Sequence, residues 1–154
     1  MENQDILNQF YTAFQDCDFR KMQSCYHSDA TFSDPVFQNL NAKQTAAMWH
    51  MLCERGKDLK LTFEQIGPSQ IRWHATYSFS KTGRRVHNVI TADFKLKDGL
   101  IIKHTDQFDL WKWAGMALGP VGSILGWTPF MKSKIRAMAM KGLSQFIAKN
   151  EEYK

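Results

Sequence analysis

Three side chains in this sequence are of types, and in places, that suit proton transfer. Asp34 stands before Pro35. A proline biases the preceding residue toward an extended backbone, which holds that carboxylate at a strand-to-loop corner. His104 and Asp106 are two residues apart in a run with strand character, and residues two apart on a strand share a face. Counted from Asp98-Gly99, a strong hairpin signal, the inward set of that strand is Ile102, His104, Asp106 and Phe108. A carboxylate walled in by aromatic rings has its pKa raised by desolvation, which suits a general base acting on a weakly acidic C–H. A His–Asp pair can shuttle a proton, with the carboxylate orienting the imidazole. Each feature also has a plainer reading. Asp34 can be a turn aspartate bonded to its own backbone ahead of proline, and His104 with Asp106 can be a buried structural pair. A metal on Asp34, His104 and Asp106 is chemically feasible, but no tight ligand motif supports one and none is assigned.

Several elements are needed to bring these groups together. Ile6, Leu7, Phe10, Tyr11 and Phe14 recur at helical spacing over residues 4–16. Asp18 is placed to cap a short helix from Phe19 to Cys25. Residues 26–36 read as a strand that ends on the Asp-Pro step. Asn41 with Gln44 forms a capping-box pattern that opens a helix over 42–55, and Gly56 closes it. From Asp58 the apolar period changes to two. Leu59, Leu61 and Phe63 alternate first, then Ile71, Trp73, Ala75, Tyr77 and Phe79, and two more strands follow over 85–97 and 100–111. The class is α+β, with helices gathered on one face of a curved antiparallel sheet.

The 154 residues, 44% hydrophobic, make one domain with a core over about 4–111 and a C-terminal extension over about 112–154. Eleven Phe, five Trp and four Tyr exceed what a compact core needs. Trp49, Trp73, Tyr77 and Phe108, with Phe10, Tyr11 and Phe14 from the first helix, are therefore candidates for the wall of an apolar pocket. Asn88 shares a face with Ala92 and is placed at the mouth. His74 and His87 fall on the other side of their strands. The three cysteines show neither ligand nor redox spacing and read as reduced packing residues of a cytoplasmic protein. The N-terminus has neither a basic nor an apolar region of the kind a signal peptide needs.

The net charge of +5 belongs wholly to residues 111–154, since basic and acidic residues cancel over 1–110. Residues 111–130 form an apolar run broken by glycines and prolines, with Trp111, Trp113 and Trp127 as material for a lid over the pocket. Residues 131–149 read as a basic amphipathic helix. Its basic side has three readings, of which a solvated face is preferred to anionic-membrane contact. Nucleic-acid contact ranks last because the neutral body offers no basic reading surface.

The segment Tyr26-His27-x-Asp29-Ala30-Thr31-Phe32-x-Asp34-Pro35-Val36, set in this order of elements, resembles the nuclear transport factor 2-like superfamily. Within it the sequence looks most like the SnoaL-like (polyketide cyclase) and ketosteroid isomerase-like branches, over residues 4–111. The resemblance implies a sheet curled into a cone, closed by the N-terminal helices around an apolar ligand pocket, and a homodimer. Aligned with the isomerases, Asp34 matches the catalytic base. Their oxyanion tyrosine falls on Phe10, with Tyr11 next to it. Their second oxyanion donor falls on Ala92, and Asp93, one residue on, belongs to the opposite face. The base is kept and both donors are lost, so ketosteroid isomerisation itself is not expected. In a SnoaL-like cyclase an acid–base aspartate sits on the late strands, for which Asp106 is the match. The epoxide-hydrolase branch uses an Asp-Arg-Asp arrangement, and no arginine here is expected to point inward.

These readings lead to a small, mostly apolar ligand and to cofactor-independent isomerase or cyclase chemistry on Asp34, His104 and Asp106. No cofactor is implied, because neither a phosphate-cradling glycine loop nor a dinucleotide fingerprint is present. The alternative is a non-catalytic binding or interaction module, membrane-peripheral through its C-terminal helix.

Overall fold

The computed structural model describes residues 2–154, with side chains from residue 5 onward. Helix α1 (Glu2–Gln15) buries Leu7, Phe10, Tyr11 and Phe14 along one stripe. It breaks at Cys17, which takes a left-handed φ of 52°. Asp18 accepts from the Lys21 amide to cap α2 (Phe19–Ser24). Strand β1 (Tyr26–Ser33) leads into α3 (Ala42–Arg55), where the Asn41/Gln44 capping box is present as the sequence implied. Strands β2 (Lys60–Gly67), β3 (Gln70–Ser78), β4 (Arg85–Lys97) and β5 (Leu100–Gln107) then run as an antiparallel meander.

The sheet order is β1-β5-β4-β3-β2. It departs from a wholly antiparallel sheet at one edge, because β1 pairs with β5 in parallel. The sheet is mixed for that reason, with the helices on one face and no closure into a barrel. Strand β1 also ends sooner than expected, at Ser33. The reciprocal backbone bonds between Phe32 and Leu40 pinch residues 33–39 into a loop instead of a longer strand.

Three further expectations need correction. Strand β5 stops at Gln107, not at Trp111, because Asp109 caps a new helix by accepting from the Lys112 amide. The glycine-containing run is helical: α4 (Leu110–Leu118) and α5 (Pro120–Leu125) precede α6 (Pro129–Lys149). The inward set of β5 also differs at its start. The β4–β5 register slips between Lys95 and Leu96, leaving Ile102 as the extra residue of a bulge, so Ile101 is buried in its place.

The main core lies between the inward face of the sheet and helices α1 and α3. A second apolar cluster joins Val86 to Leu110, Trp113, Ala114, Ala117, Met131 and Ile135, so the C-terminal helices are docked on the body. Val36, Tyr77 and Phe108 touch both clusters. The β3–β4 turn holds the end of α4, with Thr82 Oγ1 donating to the Ala117 carbonyl and Arg84 Nε to that of Met116.

Candidate functional site

A chain of hydrogen bonds crosses the interior and ends on Asp106. Trp49 Nε1 donates to the Tyr26 hydroxyl at 2.9 Å, and that oxygen lies 2.7 Å from His104 Nδ1. His104 Nε2 lies 2.8 Å from Asp106 Oδ1. One assignment uses every proton: Tyr26 O–H donates to Nδ1, and Nε2–H donates to the carboxylate. Burial pushes the Tyr26 phenol well above its usual range, and the Asp106 charge adds to that, so Tyr26 stays a donor. His104 is 1% exposed and boxed by Phe10, Phe32, Trp49 and Phe94. Its ring is fixed by these neighbours, and it acts on Asp106 rather than on anything outside.

Asp34 reaches the same place from β1. Parallel pairing of Phe32 with His104, and of Ser33 with Thr105, carries Asp34 alongside Asp106 on the neighbouring strand, where strands lie about 4.8 Å apart. Asp34 Oδ1 accepts from the backbone amides of Val36 (2.7 Å) and Phe37 (2.6 Å). The turn-aspartate reading is therefore correct for this oxygen. Oδ2 has no partner among the described residues and is not sealed from solvent. The same holds for Asp106 Oδ2, although Asp106 is 3% exposed. Desolvation pushes Asp34 up to about 7, opposed by the Phe37 amide and reinforced by the negative charge of Asp106. Two carboxyl groups thus share one wall, each with one oxygen committed and one available.

The remaining candidates divide into mouth and interior. Asn88 is buried on β4 between Val86 and Ile90, and its amide has no hydrogen-bond partner among the described residues. Tyr77 accepts from Trp113 Nε1 at 2.8 Å, and burial raises its phenol, with a smaller contribution from the Asp34 charge. Phe108 lies half-buried just past the end of β5. Phe10, Tyr11, Phe14, Trp49 and Trp73 pack ring on ring in the interior, with centroid separations of 5.0 to 6.4 Å. Within this aromatic packing, the Tyr11 hydroxyl and Trp73 Nε1 are buried donors without a partner among the described residues. Burial, and then the Asp106 charge, raises the Tyr11 phenol, so it too stays protonated. Unpaired buried donors cost free energy, on the order of 1–3 kcal/mol each, unless a water or ligand meets them.

Ala92 pairs directly with Asp106, and Asp93 sits on the outer face, accepting from Gln70. The position that holds an acid in the isomerases is thus apolar here, and the acid stands across the ladder on β5. Arg136 of α6 comes near the Asp34 loop, but its Nε donates to the Pro35 carbonyl. No group of three potential metal ligands occurs among the described residues. A shallow depression of about 310 Å³ lies on the opposite face of the sheet, lined by Lys60, Thr62, His74, Thr76 and His87. It has no carboxylate and no connection to the pair.

Sequence reasoning missed two participants. Tyr26 was legible only as part of a motif, because an irregularity between Tyr26 and Thr31 hides which way it faces. Trp113 was placed in a lid, but its partner Tyr77 lies 36 residues away and no local pattern names it.

A sequence model of the SnoaL-like domain matches residues 7–104. No curated protein sequence matches the chain. Among solved structures, an LEH-like epoxide hydrolase from M. tuberculosis is 20% identical, with a TM-score of 0.60, covering 81% of this chain and 96% of its own. IdmH, a proposed polyketide cyclase from Streptomyces antibioticus, is 18% identical with a TM-score of 0.61, covering 75% and 98%. A protein of ketosteroid isomerase-like fold from Catenulispora acidiphila, solved with trimethylamine, is 12% identical with a TM-score of 0.59, covering 80% and 97%. At these identities the likeness is one of fold. By its sequence match and its architecture together, the chain belongs to the SnoaL-like domain family of the nuclear transport factor 2-like superfamily.

Proposed function

We infer that the protein binds a small, mostly apolar molecule carrying one polar atom, held between Asp34 and Asp106 beneath α4. The observation behind this reading is the carboxyl pair with its two uncommitted oxygens. Carboxylate oxygens that reach solvent and have no protein partner are free to meet a polar atom of a ligand or a water. With Asp34 poised at about 7, it exists at neutral pH as both acid and base. That is the condition under which a carboxyl group takes and returns a proton most efficiently. Asp106, oriented through His104 and Tyr26, is one of the causes that raise Asp34. The reaction class is proton abstraction and return next to a carbonyl, as in isomerisation or cyclisation, with Asp34 as base.

A carrier without catalysis is the second reading. It is favoured by Asp34 Oδ1 being used by its own loop and by the dense aromatic packing of the interior. Deuterium exchange separates the two. Enolisable ketones and polyketide-like compounds are incubated in D2O with wild type and with Asp34→Asn, and C–H exchange is followed by NMR. Exchange that depends on Asp34 supports the enzyme. Saturable binding without exchange in either protein supports the carrier.

A further inference from the structure

The outer side of the C-terminal helices carries apolar groups that the cone does not use. Among the exposed large hydrophobic side chains of the described residues, Trp111, Val121, Ile124, Leu125, Trp127 and Phe130 fall within one stretch. Ile124 is 67% and Phe130 71% exposed. The tight α4–α5 hairpin gathers them. Gly122 lies directly against the Ala114 carbonyl, where no Cβ would fit, and Gly126 packs on Ala114 and Trp111. Trp111 Nε1 donates to the Ser123 carbonyl at 2.9 Å, and Trp127 Nε1 to that of Ile124 at 3.0 Å. Each exposed indole has its one polar atom tied to the protein's own backbone, so what it shows outward is hydrocarbon. Soluble monomers rarely concentrate apolar groups in this way without a partner.

The charges around this knob specify the partner. No Asp or Glu occurs between Asp109 and Glu151, while Lys112, Lys132, Lys134, Arg136, Lys141 and Lys149 do. Lys134 Nζ stands 5.6 Å from the Phe130 ring centroid, and exposed Lys112 follows Trp111. Hydrocarbon flanked by cations, with no anion among them, complements an anionic bilayer surface. No helix among the described residues is long and apolar enough to cross a membrane, so the contact lies on the surface. A second copy is the poorer occupant. A two-fold contact through this patch sets the same cations of both copies near one another with no carboxylate from α4–α6 between them.

We propose that the α4–α5 hairpin and the first turn of α6 form a peripheral docking surface for anionic phospholipid bilayers. Trp111, Ile124, Trp127 and Phe130 enter the headgroup boundary, and Lys112 and Lys134 lie against the phosphates. The opposite side of α4, through Leu110 and Trp113, packs on the body beside Tyr77. The proposal does not depend on what the cone binds.

The test is flotation of the full chain with vesicles of phosphatidylcholine alone and of phosphatidylcholine mixed with phosphatidylglycerol. Tryptophan emission and acrylamide quenching are followed in parallel. The expected result is binding to the mixed vesicles, with a blue shift and reduced quenching, weakened by added salt. Ile124→Ser with Phe130→Ser lowers the partition on the order of tenfold or more, from the apolar area no longer buried. Lys112→Glu with Lys134→Glu removes the preference for anionic vesicles, at roughly fivefold or more per site. All four side chains are at the surface, and circular dichroism confirms that the variants fold. If the serine pair unfolds the chain, the charge reversals and the wild-type emission shift decide. Absence of wild-type binding to either vesicle overturns the proposal, as does equal binding to both. Self-association in light scattering that the serine pair abolishes, without vesicles present, assigns the knob to a second copy and overturns it too.

Discussion

Replacing Asp34 by asparagine isolates the free energy of charging one half-buried carboxyl group. The amide keeps the size of the side chain and an oxygen able to accept from Val36 and Phe37, so the loop retains its geometry. What disappears is the titration. Asp34 is raised from 3.8 to about 7 in the folded chain, chiefly by desolvation. Between these values the folded state holds a proton that the unfolded state has released. Stability therefore falls as pH rises, by about 1.36 kcal/mol per pH unit. Across the window the ceiling is about 4 kcal/mol, and contact of Oδ2 with solvent reduces the expectation to about 2 kcal/mol. The contribution is fully present below about pH 4 and lost once pH has risen through about 7. Urea denaturation of wild type and Asp34→Asn in roughly even steps from about pH 4.5 to about 8.5 gives the difference directly. The variant should gain on wild type as pH rises, by about 2 kcal/mol in total. Parallel stability curves would refute the argument, since they would mean that Asp34 titrates alike in both states.

Other perturbations probe the surroundings. Asp106→Asn removes the neighbouring negative charge, so the Asp34 midpoint should move down from about 7 in a carbon-detected NMR titration; an unchanged midpoint would separate the two groups. Tyr26→Phe leaves Trp49 Nε1 and His104 Nδ1 unpaired in the interior and should cost about 2–4 kcal/mol in denaturant unfolding, whereas a loss below about 0.5 kcal/mol would deny the chain its role. Trp113→Phe gives up the bond to Tyr77 and should cost about 1 kcal/mol, read most directly as faster hydrogen exchange in α4 with the sheet unaffected. Gly122→Ala forces the Ala114 carbonyl away and should destabilise the chain by about 1–3 kcal/mol, with a changed environment at Trp111 in its emission spectrum.

Much of this architecture was legible because local signals agreed. The stripe of Leu7, Phe10, Tyr11 and Phe14, the Asn41/Gln44 box and the Asp98-Gly99 turn each specify an element without help from elsewhere. The inward direction of His104 and Asp106 was legible for the same reason. The position of Ile102 was not, because a bulge moves every earlier residue of the strand to the other phase. The parallel placement of β1 is a long-range choice, and it is what sets Asp34 beside Asp106. The alternation within residues 26–36 does not contain it. Glycines and prolines in 115–129 suggested a broken connector. Here they serve other purposes: Gly119 turns with a φ of 75°, Pro120 and Pro129 open helices, and Gly122 and Gly126 let two helices touch. The same residue types mark a loop when they face solvent and a close contact when they face another helix. Only the tertiary structure distinguishes the two.

The central claim is that the site lies between Asp34 and Asp106 at the mouth of the cone. Amide and side-chain NMR shift mapping tests it most directly, with a panel of small ketones and phenols titrated into the wild-type chain. The account predicts saturable shifts centred on Asn88, Tyr77, Asp34 and Asp106, weakened in Asp34→Asn. Shifts confined to the outer depression at His74 and His87 would contradict it, as would a panel that leaves the mouth unperturbed.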